Sequence, residues 1–207
     1  MKFIILTLSW LFFPFVSFSD SPLTSTYFAD LYTEAIVQKA IDANHNLTDE
    51  LAEYLTDKKQ PLEIKMAIIN ALGWNFNGQD NSGKFFQYLK GKNKKYKNLD
   101  TFKRKGKHFE LICFAYLRAM DDYFTVETAV SFANAAEQKN KHKSKCLFMI
   151  SGLIKAQKAM ESDWCEVYRS VDRARQDETL ENDISEKTVE NIFEYINLYR
   201  DDCAGRD

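Results

Sequence analysis

The stretch of this chain best suited to binding chemistry is residues 84–107, which contain ten basic residues and one acidic residue, Asp100. Aromatic rings such as Tyr88 and Phe102 are interleaved with the charges. This mixture is typical of surfaces that bind phosphate backbones or anionic glycans. The alternative is a solvated, mobile segment, because lysine offers less geometric specificity than arginine. The residues predicted to contact an anionic partner are Lys90, Lys92, Lys94, Lys95, Tyr96, Lys97, Lys103, Arg104, Lys105 and Lys107.

The four cysteines offer disulfide chemistry and allow three full pairings. If helices near 163–178 and 184–202 form an antiparallel hairpin, Cys165 and Cys203 are equidistant from the reversal and meet at its open end. We therefore predict a disulfide between Cys165 and Cys203. Cys146 and Cys165 begin consecutive antiparallel helices at opposite ends, about 20 Å apart, which excludes that pairing.

Catalytic or metal chemistry is not indicated by any residue pattern in the chain. We find no HExxH zinc helix, no GxSxG elbow, no phosphate-binding glycine loop and no paired CxxC. Cys113 follows His108 by five residues on one helix, so the two side chains point about 140° apart. An apolar setting makes such a thiol inert. We expect Cys113 and Cys146 to be buried thiols, and we predict no catalytic residue, no metal site and no cofactor.

Two polar segments have compositions compatible with a ligand-binding or catalytic site. Asp121 and Asp122 end a helix, where carboxylates are electrostatically unfavourable. Segment 74–81 mixes rings with amide side chains, a composition that can hold a sugar or a peptide, although a polar connector with Trp74 in the core is the favoured interpretation. A hydrolase with an unrecognised site is therefore the minor functional alternative.

Helical periodicity runs through the chain from residue 20 onward, with apolar residues at intervals of three and four. Thr48 is a predicted N-cap, Gly73 a predicted C-cap, and Asp183 with Glu186 has capping-box spacing. The helix that begins near His108 is apolar nearly all round, which predicts a central, buried position. No segment shows strict alternation, so we expect little strand.

The fold class predicted from these elements is all-α, with eight or nine helices stacked as antiparallel pairs. Only 7 Gly and 3 Pro occur in 207 residues, fewer than a β-sandwich would need for its turns. Pairs of roughly 35 to 40 residues recur, and in outline this α-α superhelix is similar to TPR- or HEAT-type arrays. The TPR consensus residues are missing, however, and no period repeats residue by residue. An irregular helical bundle is the alternative.

The N-terminal residues 1–19 have the form of a cleavable secretory signal. A single lysine precedes an apolar run, and Ser17 and Ser19 stand at the −3 and −1 positions of a cut before Asp20. The apolar run is short for a membrane span of ~20 residues, and an uncleaved anchor is the alternative. We expect residues 20–207 to form one secreted or periplasmic domain without a stable membrane span.

The formal net charge of −2 hides a strong segregation of charge, because residues 161–207 carry fourteen acids and six bases. Such asymmetry concerns partners rather than fold. Our first functional hypothesis is an exported, non-catalytic interaction module that binds a protein or peptide on a concave face. The alternative is a binder of an anionic polymer or membrane surface through residues 84–107. Nucleic acid is not an expected partner.

Overall fold

The computed structural model describes residues 20–74 and 78–206, and the predicted leader lies outside these ranges. Within them the chain forms ten α-helices, three short 3-10 helices and no strand, which confirms the all-α prediction. The helices are α1 (Ala35–Ile41), α2 (Asp49–Thr56), α3 (Leu62–Leu72), α4 (Asn81–Lys92), α5 (Leu99–Lys105), α6 (His108–Asp121), α7 (Glu127–Lys139), α8 (Lys145–Ala159), α9 (Trp164–Gln176) and α10 (Glu186–Ile196).

Helix α6 occupies the centre of the molecule, as its apolar surface predicts. It packs against α3, α4, α7 and α8, and eleven of its residues are buried. The pairs α6–α7 and α8–α9 are the most extensively packed neighbours, and each pair is consecutive in the chain. Consecutive paired helices are the unit of both helical arrays and bundles.

Two of the predicted helix ends are confirmed. The Thr48 hydroxyl accepts a hydrogen bond from the Leu51 N–H at 3.3 Å, which caps α2. Gly73 follows α3 with a φ of 64°, a left-handed conformation that glycine adopts without steric cost.

The predicted start of α10 is wrong by two residues. Ser185 is the N-cap and accepts from the Thr188 N–H. Asp183 instead accepts the Cys146 N–H at 2.9 Å and so supports the first turn of α8. A carboxylate near the N-terminus of α8 is favourable because the free N–H groups carry partial positive charge.

The N-terminal segment is tied to α3 by the buried side chain of Asn70. Its Oδ1 accepts hydrogen bonds from the N–H groups of Phe28 and Ala29 at 2.7 and 2.9 Å. Its Nδ2 donates to the carbonyl of Thr26 and to the hydroxyl of Tyr116. All hydrogen-bonding capacity of this buried amide is therefore used, which satisfies the requirement for burying a polar group.

The two ends of the described chain meet around Glu63 at the start of α3. The Tyr32 hydroxyl donates to Glu63 and shares a hydrogen bond of 2.5 Å with the Thr188 hydroxyl of α10. The Ser185 N–H donates to the same Glu63 carboxylate at 2.6 Å. The start of α10 therefore contacts both the N-terminal segment and α3.

The predicted disulfide is confirmed. The sulfur atoms of Cys165 and Cys203 are 2.15 Å apart, and their Cα atoms are separated by 4.7 Å. The predicted helix over 184–202 is too long, because α10 ends at Ile196 and two 3-10 turns follow. These turns bring Cys203 back to the beginning of α9, where Cys165 lies.

Candidate binding surfaces

The basic stretch, residues 84–107, packs against the rest of the molecule, although its composition is also that of a solvated segment. It forms α4, a turn and α5, and Phe102 is fully buried. Tyr96, in the turn, is 3 % exposed, and its hydroxyl donates to Glu110 Oε2 at 2.7 Å. Tyr96 is therefore not available to a surface partner, which corrects its assignment as a contact residue. The ring of Phe102 packs edge-on against Phe114 of α6, with 5.6 Å between centroids.

Nine cationic side chains lie on the outside of this folded stretch and are exposed or half-exposed. Within the described residues, only Lys107 has a carboxylate within 4 Å, that of Glu110 at 3.9 Å. The other cations have no ion-pair partner in the described part of the chain. We call the nine the basic surface: Lys90, Lys92, Lys94, Lys95, Lys97, Lys103, Arg104, Lys105 and Lys107.

The end of α5 is held to α7 by Lys139. Its ammonium donates to the carbonyl oxygens of Lys103, Arg104 and Gly106 at 2.9, 2.8 and 3.0 Å. These carbonyls lie at the C-terminal end of α5, where a cation is favourable. A cavity of about 490 Å³ lies between the two helices, with Arg104 and Asn134 among its lining residues. The basic surface is therefore borne on anchored helices.

The two free cysteines are fully buried, as predicted. Burial raises the pKa of Cys113 to about 12 and raises the pKa of Cys146 well above its usual value. Because the thiolate is the nucleophilic form, neither thiol is activated for catalysis in the folded chain.

The helix-terminal carboxylate of Asp121 has a structural explanation that the sequence pattern did not reveal. Asp121 Oδ1 and Oδ2 accept the N–H groups of Asn81 and Ser82 at 3.0 and 2.7 Å, so this residue caps the start of α4. Burial raises the pKa of Asp121 against the opposing effect of these hydrogen bonds. The adjacent Asp122 lies 3.6 Å from Arg118.

His108 and His142 are neighbours, with 6.5 Å between their ring centroids. Burial lowers the pKa of His108, and charge interactions with His142 and Lys65 lower it further. Across residues 20–74 and 78–206, no group of three or more His, Cys, Asp or Glu side chains is placed to hold a metal ion.

Of the polar segment 74–81, residues 75–77 lie outside the described ranges. The Trp74 ring is half-buried and packs edge-on against Tyr123, with 5.5 Å between centroids. Trp74 also borders a cavity of about 380 Å³ together with Tyr27 and His45.

No protein-family model matches this chain, and searches of curated proteins and of solved structures also found no match. Function is therefore argued from the chain's own surfaces. None of the described helices is both long and apolar enough to cross a membrane.

Proposed function

We propose that this chain is an exported, non-catalytic helical interaction module that binds an anionic polysaccharide through the basic surface. The observation that carries the proposal is that eight of the nine cations of the basic surface, on α4, the following turn and α5, have no ion-pair partner among the described residues. Like charges held close together destabilise a fold through self-repulsion. An anionic partner removes that repulsion on binding.

The packing of α4 and α5 supports the proposal. Because Tyr96 and Phe102 are buried and Lys139 caps α5, the backbone under the charges is already ordered before any partner binds. Binding then costs side-chain entropy but little backbone entropy. Export is supported by the form of residues 1–19 and by the Cys165–Cys203 disulfide, which suits an oxidising compartment.

The abundance of lysine favours a polymer over a small, geometrically defined anion. Eight of the nine cations are lysines, which act as flexible point charges, whereas arginine gives bidentate contacts. Many such contacts with a regularly charged chain give an affinity that falls steeply as salt concentration rises.

The test uses fluorescein-labelled heparin as the anionic polysaccharide and measures anisotropy from 50 to 300 mM NaCl. We expect the triple substitution K94S/K95S/K97S to weaken binding by about tenfold or more, because three contacts are lost. The matched variant K58S/K59S/K187S removes three exposed lysines outside the basic surface and should bind as the unmodified chain does. Equal loss in both variants, or binding that is insensitive to salt, would contradict the proposal.

A second arm replaces heparin by vesicles containing phosphatidylglycerol. We expect weaker, salt-sensitive binding to the vesicles than to heparin. Stronger binding to the vesicles that depends on the same three lysines would assign the basic surface to a membrane instead.

A further inference from the structure

A groove of about 620 Å³ lies along α10, on a part of the molecule that the basic surface does not include. Its far side is formed by Lys145 at the start of α8 and by Arg175 near the end of α9. Val189 is half-buried and supplies the apolar surface of the groove, while the buried side chains of Ile184 and Phe193 form its floor. The volume is within the range of sites that bind small molecules or side chains of a partner.

The apolar part of the groove is held in a fixed position. The Arg175 guanidinium lies 3.8 Å from the centroid of the Phe193 ring. Arg175 Nε donates to Asp172 Oδ1, and its Nη2 donates to the Tyr168 hydroxyl, each at 2.9 Å. Because these contacts fix Arg175, and Arg175 covers Phe193, the groove is preformed.

The outer wall of the groove is a row of three exposed carboxylates, Glu186, Glu190 and Glu194. They follow one another at intervals of four residues, about 6 Å apart along the helix. Like charges at this spacing destabilise a helix. Within the described ranges none of the three has a cation within 4 Å, so a basic partner would relieve this repulsion.

The groove is lined by three carboxylates and by the two cations Lys145 and Arg175, so its lining is net negative and disfavours the anionic polymer proposed for the basic surface. A segment of a partner protein fits better, because it can supply basic and apolar side chains in fixed register. In an amphipathic helix, residues four apart have the same spacing as the glutamate row, and an apolar row lies beside them. Such a helix would place its apolar row over Val189.

We propose that the groove along α10 binds an amphipathic helical segment of a partner protein, with basic side chains facing Glu190 and Glu194 and apolar side chains facing Val189. This is a helix-in-groove mode of recognition. It is independent of the basic surface, which would repel the same segment.

The test measures anisotropy of a fluorescein-labelled peptide made of four Lys-Ala-Ala-Leu repeats. We expect saturable binding to the full chain from Asp20. Peptides with Ser in place of Leu, or Glu in place of Lys, should bind at least about tenfold more weakly, because each loses one of the two matched features. The serine peptide separates groove binding from attraction between opposite charges alone.

Two double variants of the protein test whether the peptide binds at the carboxylates of the groove. E190Q/E194Q keeps side-chain shape and removes two charges from the groove, and we expect it to weaken binding by about tenfold or more. E53Q/E161Q removes two exposed carboxylates elsewhere and should leave binding unchanged. Absence of binding to the unmodified chain, equal effects of the two variants, or equal binding of the serine peptide would each overturn the proposal. None of these outcomes bears on heparin binding, so the two proposals fail separately.

Discussion

Several buried polar side chains position the backbone in this fold. Asn70 joins the N-terminal segment to α3 and α6. Lys65 is 1 % exposed, and its ammonium donates a hydrogen bond to the carbonyl of Asp57 at 2.6 Å. The same ammonium lies 4.1 Å from the centroid of the Phe109 ring. Burial lowers the pKa of Lys65. A charge can be buried here because a carbonyl and an aromatic face replace part of its hydration.

His108 makes stability depend on pH near neutrality. Its folded-state pKa lies below the usual value, mainly through burial and then through charge interactions with His142 and Lys65, while Glu110 and Asp183 oppose this shift. The unfolded chain therefore takes up a proton near pH 6.5 before the folded chain does. The stability that neutral His108 contributes is present above that pH and is lost as the pH falls through the folded pKa.

We therefore expect urea unfolding to show a larger drop in unfolding free energy between pH 7.5 and 5.5 for the unmodified chain than for H108Q. H108Q removes only the imidazole at position 108, so the difference between the two drops is assigned to the titration of His108. A drop of equal size in both would contradict this assignment.

Residue identities alone did not reveal these polar positions. Asn70, Lys65 and Asp121 each have partners far away in the chain, such as Phe28 for Asn70 and Asn81 for Asp121. Helical periodicity indicates which face is apolar but not which polar residue on that face is satisfied by another element. Tyr96 was misassigned for the same reason, because the partner that buries its hydroxyl lies fourteen residues further on.

At the scale of elements, the pair α8–α9 depends on a close approach at Gly152. A Cβ atom at this position would lie 2.5 Å from the Ser170 carbonyl oxygen and 3.0 Å from the Val171 Cα. Backbone atoms cannot move aside as a flexible side chain can, so the helices would have to separate. Helix separation opens gaps in a core that is otherwise densely packed.

We expect Gly152→Ala to lower the free energy of unfolding by about 1–3 kcal/mol, measured by urea denaturation, as for other overpacked sites. Gly91 of α4 is the matched control, because a Cβ there would meet no atom within 4 Å. Gly91→Ala should leave stability unchanged or raise it by up to about 1 kcal/mol through helix propensity. A neutral effect of Gly152→Ala would show that α8 and α9 can separate without cost.

Most helices were predictable because apolar spacing and capping residues act within a few positions of one another. α5 was not, since Phe102 is its one fully buried side chain and the remaining sequence is dominated by charge. α5 is stabilised by contacts with other helices: Phe102 packs on α6, and Lys139 of α7 caps the carbonyls of α5. The groove along α10 was likewise invisible in sequence, because it is formed by residues of three α-helices and of the segments on either side of α10.

For the whole molecule, the sequence is compatible with both an α-α superhelix and an irregular bundle. The start of α10 contacts the N-terminal segment and α3. Thr188 is hydrogen-bonded to Tyr32, and Ser185 is hydrogen-bonded to Glu63, which also accepts from Tyr32. The contacts of Thr188 and Ser185 link residues more than 120 positions apart, a distance over which no sequence pattern specifies pairing. The disulfide was predictable because Cys165 and Cys203 are equidistant from the reversal between α9 and α10, although Cys203 lies in a 3-10 turn beyond α10.

The state of all four cysteines tests the packing of the whole molecule at once. Cys113 on α6 and Cys146 on α8 are fully buried free thiols, whereas Cys165 and Cys203 are bonded. Alkylation requires both access and a thiolate, and burial denies both by raising the thiol pKa. Labelling of the free thiols therefore reports opening of the core around α6 and α8.

With iodoacetamide at pH 8, we expect intact mass to show no alkylation of the folded chain, two additions in guanidinium chloride and four after reduction in guanidinium chloride. Peptide mapping without reduction should recover Cys165 linked to Cys203. Because Cys113 and Cys146 lie in neighbouring central helices, they should become labelled at the same rate as denaturant is raised, in one cooperative transition. Much faster labelling of Cys146 would show that α8 opens apart from α6. A peptide linking Cys146 to Cys165 would contradict the fold itself, since it would require the two ends of α8–α9 to meet.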